Sequence, residues 1–158
     1  MVKLDPILVE RYSKQFDRVI SLLQSAADLL IPDAYDYQKQ QLYSAMKMVQ
    51  DQKEVYDSVL NSLSVGVLFQ EGVQIKTSVE QDVNRTVLGL LWTCLDLISN
   101  INLFRSDFAD FMESVVLDNF GQYNLKDFVL VESQVDSLCD ALSDASDIIC
   151  QVISSLDN

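Results

Sequence analysis

Histidine is missing from this chain altogether. Its absence removes the usual general base at neutral pH, the commonest metal ligand, and every Ser/His or Cys/His nucleophile arrangement. It also excludes the Glu-x-x-His pairs by which helical di-iron proteins hold their metal. Carboxylates, lysines or cysteines remain chemically capable of catalysis, yet no pattern among them points that way. The expectation is a non-enzyme without a cofactor or metal.

Glycine and proline are almost as scarce, four and two residues in 158. Tight turns draw on those two residue types, so the chain is expected to fold into few, long elements. The three cysteines, Cys94, Cys139 and Cys150, cannot all pair with one another, and none stands in a metal-type spacing. Cys139 and Cys150 belong to one expected helix, where their separation is about 16 Å along the axis, too far for a disulfide. Reduced thiols used in packing are expected, and with them a cytoplasmic, reducing setting. The opening run Met1 to Pro6 lacks the layout of a signal peptide, and no stretch offers eighteen uncharged apolar residues for a membrane span. Glycine-rich phosphate loops of the G-x-x-x-x-G-K or G-x-G-x-x-G type are absent as well. The nearest acidic clusters, Asp33 to Asp36 and Asp144 to Asp147, lack the glycine and terminal glutamate of a calcium loop.

What the chain does have is apolar periodicity. Almost half of it is hydrophobic, and at this length one domain with one core is expected. Val9, Tyr12, Phe16, Val19, Leu23, Ala26 and Leu30 alternate by three and four residues, the spacing of one helical stripe. A first helix is expected from about Asp5, as N-cap before Pro6, to Leu30, with Pro32 stopping it. Asp33 is the expected cap of a second helix reaching about Leu63, on the stripe Leu42, Ala45, Val49, Gln52, Tyr56, Val59 and Leu63, widened by Met46 and Leu60. The short link through Ile31 and Pro32 folds these two into an antiparallel hairpin.

The helical period fails between Ser64 and Thr77, where a small β-hairpin or an ordered loop is expected around Glu71 and Gly72. A third helix is expected from the capping box at Thr77 or Ser78. It carries two stripes, Val87, Leu90, Cys94, Leu97, Ile101 and Phe104 on one and Leu88, Leu91, Leu95 and Ile98 on the other, so it reads as centrally buried. Asp96, Asn100 and Asn102 interrupt the run and argue against a membrane span. The arm breaks or kinks near Arg105. Its continuation, with Phe108, Phe111, Met112, Val115, Val116 and Phe120, ends at Gly121. The last helix runs from Asn124 or Leu125 to about Leu156, on Phe128, Val131, Val135, Leu138, Leu142, Ala145, Ile149, Val152 and Leu156. The fold class is therefore all-α, a long antiparallel four-helix bundle in five helical segments, connected up-down-up-down by default.

Charge is the second positive feature. The net charge is −13, and it is uneven: residues 80 to 158 hold three basic against fourteen acidic side chains. No Lys or Arg follows Lys126, and Asp136, Asp140, Asp144 and Asp147 share the outward face of the last helix. Like charges four apart repel by a few tenths of a kcal/mol. The face is either plain solvated surface, offset by a nearby basic patch of Arg11, Lys14 and Arg18, or a docking surface for a Lys/Arg-rich protein. Direct nucleic-acid binding does not fit, because a phosphate backbone demands clustered cations.

Two further candidates complete the reading. Trp92 falls near the polar edge of the third helix, where a partly exposed indole makes an interface anchor. Around it in sequence, Phe104, Phe108, Phe111, Met112, Phe120, Tyr123 and Phe128 form either plain core or the lining of an apolar pocket or helix-binding groove, as in regulators with Bcl-2-like architecture. At the end of the last helix Ile148, Ile149, Cys150, Val152 and Ile153 cover a wider arc than one seam needs, which points to a homodimer through that end. The expected function is a protein-protein interaction module, an adaptor, assembly factor or chaperone-like subunit, with Asp136, Asp140, Asp144, Asp147, Trp92, Ile148 and Ile153 as candidate partner-binding residues. The alternative is the pocket protein.

Overall fold

A computed structural model describes residues 6–63, 86–117 and 125–157. They form five helices, α1 (Pro6–Leu29), α2 (Asp36–Leu63), α3 (Val87–Asn102), α4 (Phe104–Leu117) and α5 (Leu125–Leu156), with no strand among the described residues. The all-α helical bundle expected from periodicity is what forms. The expected β-hairpin or loop at 64–77 and the capping boxes at Thr77 and Ser78 lie outside the described residues.

Local chemistry sets the helix ends, and it moves two of them from their expected places. Asp33 does not cap α2 with its side chain. It takes a left-handed backbone conformation with φ 70°, which Asp tolerates better than most residues, and its N–H donates to the Asp36 carboxylate at 3.0 Å. The helix therefore starts three residues later, at Asp36. Thr86 is extended (φ −84°, ψ 150°), and its Oγ1 accepts from the Gly89 N–H at 3.0 Å. That is an N-cap, and α3 begins at Val87. Downstream, the break near Arg105 falls at Leu103, whose N–H bonds back to Asn100 while the Asp107 N–H reaches the Leu103 carbonyl at 3.1 Å. The arm carries on from α3 into α4 through one tightened turn.

Side-chain contacts set the directions. The Tyr56 hydroxyl donates to the Val9 carbonyl at 2.7 Å, and Lys53 pairs with Asp17, so α2 runs antiparallel to α1. Gln38 donates to Ser155 and Gln41 to Gln151, which makes α5 antiparallel to α2. The Cys94 thiol meets the Val19 carbonyl, and Phe104 meets the Tyr12 ring, which makes the α3–α4 arm antiparallel to α1. Each of α1 and α5 packs against both α2 and α3, leaving α1 diagonal to α5 and α2 diagonal to α3.

The connectivity is therefore up-down-down-up, not the expected up-down-up-down. Leu63 lies at the Val9 end of the bundle and Val87 near the other end, about 35 Å away at 1.5 Å per helical residue. The up-down-up-down expectation assumed short links, whereas residues 64–86 separate α2 from α3.

The core follows the stripes read from sequence. Every α1 stripe residue is buried, as are Leu42, Ala45, Val49, Tyr56 and Val59 on α2 and Val131, Val135, Leu138, Leu142, Ala145, Ile149 and Val152 on α5. No polar or charged residue is fully buried among the described residues. In a four-cornered bundle no helix sits at the centre, so α3 is not wrapped on all sides as expected. Leu90, Leu91, Cys94, Leu97, Ile98 and Ile101 face inward, while Trp92, Asp96, Ser99 and Asn100 face out.

By length and composition alone, the arm Val87–Glu113 is apolar enough to cross a membrane. Part of its apolar side is turned onto the bundle core, and its outward side carries Asp96, Ser99, Asn100, Arg105, Asp110 and Glu113 beside Trp92 and Leu103.

Candidate functional site

The first question is what lies beside the acidic row of α5. Arg105, at the start of α4, spans two of its carboxylates: Nε is 3.2 Å from Asp136 and Nη2 3.2 Å from Asp140, with Nη2 also donating to the Asp136 carbonyl at 3.0 Å. The hydrogen bond to Asp140 is the main reason the Arg105 pKa rises further. The basic patch Arg11, Lys14 and Arg18 does not serve this role, because α1 stands diagonally across from α5; Lys14 instead pairs with Glu10 at 3.8 Å. Asp144 and Asp147 are exposed and have no ion pair among the described residues.

The Arg105 clamp also fixes the register of α5 against the α3–α4 arm. Since the two run antiparallel, climbing α5 from Asp140 descends the arm from Arg105 toward the start of α3. Asp144 stands one heptad before Gln151, which bonds to Gln41 of α2, so it leans toward α2 and away from the arm. Along the outward strip of α3 stand Leu88, Trp92, Leu95, Ser99 and Leu103, spaced by three and four residues. Leu88 and Leu95 are half-buried against the core. Trp92 and Leu103 are each 56% exposed, more than most large apolar side chains in the bundle.

The outer face of α3 thus combines an exposed apolar strip with Asp96. The structure leaves Asp136 and Asp140 of α5 engaged by Arg105. It does not bring Ile148 and Ile153 to this surface. Ile153 is 8% exposed and belongs to the core, and Ile148 is half-buried against it. The wide apolar arc at the end of α5 is used inside the chain, because α5 packs against α2 on one side and α3 on the other. Of that arc only Cys150 is exposed, so it is not the packing thiol expected, unlike Cys94 and Cys139, which are buried. Burial pushes the Cys139 thiol pKa up.

The aromatic run is core where it is described. Phe104 packs at 5.5 Å from Tyr12, 5.0 Å from Tyr56 and 6.1 Å from Phe108, and Phe111 continues the row. Side-chain placement at Phe120, Tyr123 and Phe128 lies outside the described residues. Sequence reasoning missed that Tyr12, Phe16 and Tyr56 join this cluster from α1 and α2; their place on the apolar stripes was the available signal. A shallow groove of about 640 Å³ does exist, but it lies between α1 and α2 and is lined by Asp17, Ile20, Lys47, Gln50, Asp51, Lys53, Glu54 and Asp57. Its lining is mostly charged, with the Lys53–Asp17 pair in it, and none of the aromatic rings lines it. Among the described residues no three Cys, Asp or Glu side chains converge as metal ligands.

The fold is thus an all-α helical bundle. No protein-family model, curated protein or solved structure matches the chain. Its site is therefore argued from its own geometry.

Proposed function

We propose that this chain is a non-enzymatic protein-interaction module, an adaptor, assembly factor or chaperone-like subunit of a reducing compartment, and that it docks its partner on the outer face of α3 and α5. The observation that carries the reading is Trp92. An indole 56% exposed in the middle of a helix whose Leu90, Leu91, Leu97, Ile98 and Ile101 turn inward costs solubility without helping the core, and tryptophan is the residue most enriched among the anchors of protein interfaces. Leu88, Leu95 and Leu103 extend the same strip, which gives it the length of a docking surface rather than of a single side chain. The three free thiols accord with a reducing setting.

The test is differential capture from cell extract with wild-type chain and Trp92→Glu, folding being checked by circular dichroism. A partner retained by the wild type and lost with the variant is the expected result. An identical set of captured proteins from both would sink the reading.

A further inference from the structure

We propose that the turn between α1 and α2 is a second docking element, a tip fitted to a segment of a partner protein in which Lys or Arg alternates with apolar side chains. It is carried by other residues than the Trp92 strip and goes beyond the docking role of that strip.

Seven large apolar side chains are exposed among the described residues, and four of them, Leu29, Ile31, Tyr35 and Tyr37, belong to the stretch 29–37. Ile31 is 65% exposed and Tyr37 72%, and Pro32 is exposed as well. Apolar residues scattered singly over a surface need no explanation, whereas a group of them rimmed by polar residues marks a contact surface. Two tyrosines suit that use, since each offers a large rigid face with few rotors to freeze.

The tip has its shape before any partner arrives. The Leu30 N–H bonds back to the Ala27 carbonyl at 3.2 Å, the Tyr35 N–H donates to the Ile31 carbonyl at 3.3 Å, and the Lys39 N–H donates to the Tyr35 carbonyl at 2.9 Å. Asp33, between the two helices, holds its left-handed backbone with its N–H bonded to the Asp36 carboxylate. A preformed surface of this kind loses little freedom on binding.

Charge selects the occupant. Asp28, Asp33 and Asp36 interleave with the apolar residues along the turn. All three are exposed, and none has an ion pair among the described residues. From Ser25 to Gln41 the only cation is Lys39. Cations set beside apolar side chains therefore complement the tip. The same carboxylates repel an anionic lipid surface. Tip-to-tip contact with a second copy would set like charges against each other, between two chains of net charge −13.

The probe is the pentapeptide Arg-Leu-Arg-Leu-Arg, titrated into the isotope-labelled intact chain, with Glu-Leu-Glu-Leu-Glu as control and backbone amide shifts read by NMR. The amides from Asp28 to Lys39 are expected to move with the Arg/Leu peptide, and its affinity to fall as salt rises. Ile31→Ser with Tyr37→Ser, both at exposed positions that leave the fold intact, weakens binding about tenfold. Asp28→Asn with Asp33→Asn weakens it about fivefold, since Asn tolerates the left-handed backbone as Asp does. Asp51→Asn with Asp57→Asn, the same change in net charge placed on the body of α2, leaves it unchanged.

Equal weakening by the two aspartate pairs would mean general charge attraction and would overturn the proposal. So would equal binding of the Glu/Leu peptide, shifts centred elsewhere on the chain, or no binding of the Arg/Leu peptide at all. Movement of the tip amides with protein concentration alone would assign the tip to a second copy, and movement on adding phosphatidylcholine vesicles would assign it to lipid; either result removes the basic partner. None of these readouts depends on Trp92, so the extract-capture test of that residue is decided separately.

Discussion

The two ends of the bundle treat their aromatic residues in opposite ways. At the end where α1 begins, Tyr12, Phe16, Tyr56, Phe104 and Phe108 are all buried and in ring contact with one another. At the end where α1 stops, the inside is filled by aliphatic side chains, among them Leu23, Leu30, Leu42, Leu90, Leu91, Ala26, Ala45 and Ala145, while Tyr35, Tyr37 and Trp92 stand outside. Aliphatic side chains fill that end without a ring, and its aromatics are on the surface. One end is specified by interlocking rings, and the other is free to present side chains to a partner.

Truncation at the ring hub separates the two ends most sharply. Phe104 touches Tyr12, Tyr56 and Phe108, and Phe104→Ala is expected to cost about 3–5 kcal/mol in urea unfolding, as large aromatic truncations in cores do. Trp92→Ser, at the other end, stays within about 0.5 kcal/mol of wild type, as exposed substitutions do. A comparable loss at both positions would erase the distinction.

High pH acts on the ring end alone. Burial pushes the Tyr56 pKa well above the ordinary tyrosine value, and burial together with the hydrogen bond to Asp107 does the same for Tyr12. Both stay protonated in the folded state while the unfolded chain ionises near pH 10. The unfolded state then binds fewer protons, so stability is intact below about pH 10 and falls as pH rises beyond it, by up to about 1.4 kcal/mol per pH unit for Tyr56. A melting temperature that does not change between pH 9 and 11 would contradict the buried placement.

Tyr56→Phe keeps the ring and removes only the hydroxyl bond to the Val9 carbonyl. A loss of about 1 kcal/mol is expected, together with a weaker alkaline dependence. Smallest of all, Arg105→Ala removes an exposed ion pair and should cost less than about 1 kcal/mol, reduced further by salt.

Much of the fold was legible in the residues. The stripes of α1, α2 and α5 became the core almost position by position, and α5 spans Leu125–Leu156 as its periodicity required. Helix ends were less legible where capping choices compete: Asp33 was a reasonable cap, yet its backbone turned left-handed and Asp36 took over. Of the candidate site, the exposure of Trp92 was readable from its polar neighbours on the helix wheel. The fate of Ile148 and Ile153 was not, since a wide apolar arc looks the same whether a second copy or a third helix covers it.

Periodicity, the absence of histidine and the lopsided charge belong to the sequence itself, because each is a local or summed property that needs no knowledge of neighbours. Which helices are adjacent, that Arg105 rather than Arg11, Lys14 or Arg18 meets the acidic row, and that Ile153 is covered inside the chain were decided only when the bundle closed. Apolar stripes on four helices can be matched in several ring orders at similar cost in buried area, and only the assembled packing chooses one.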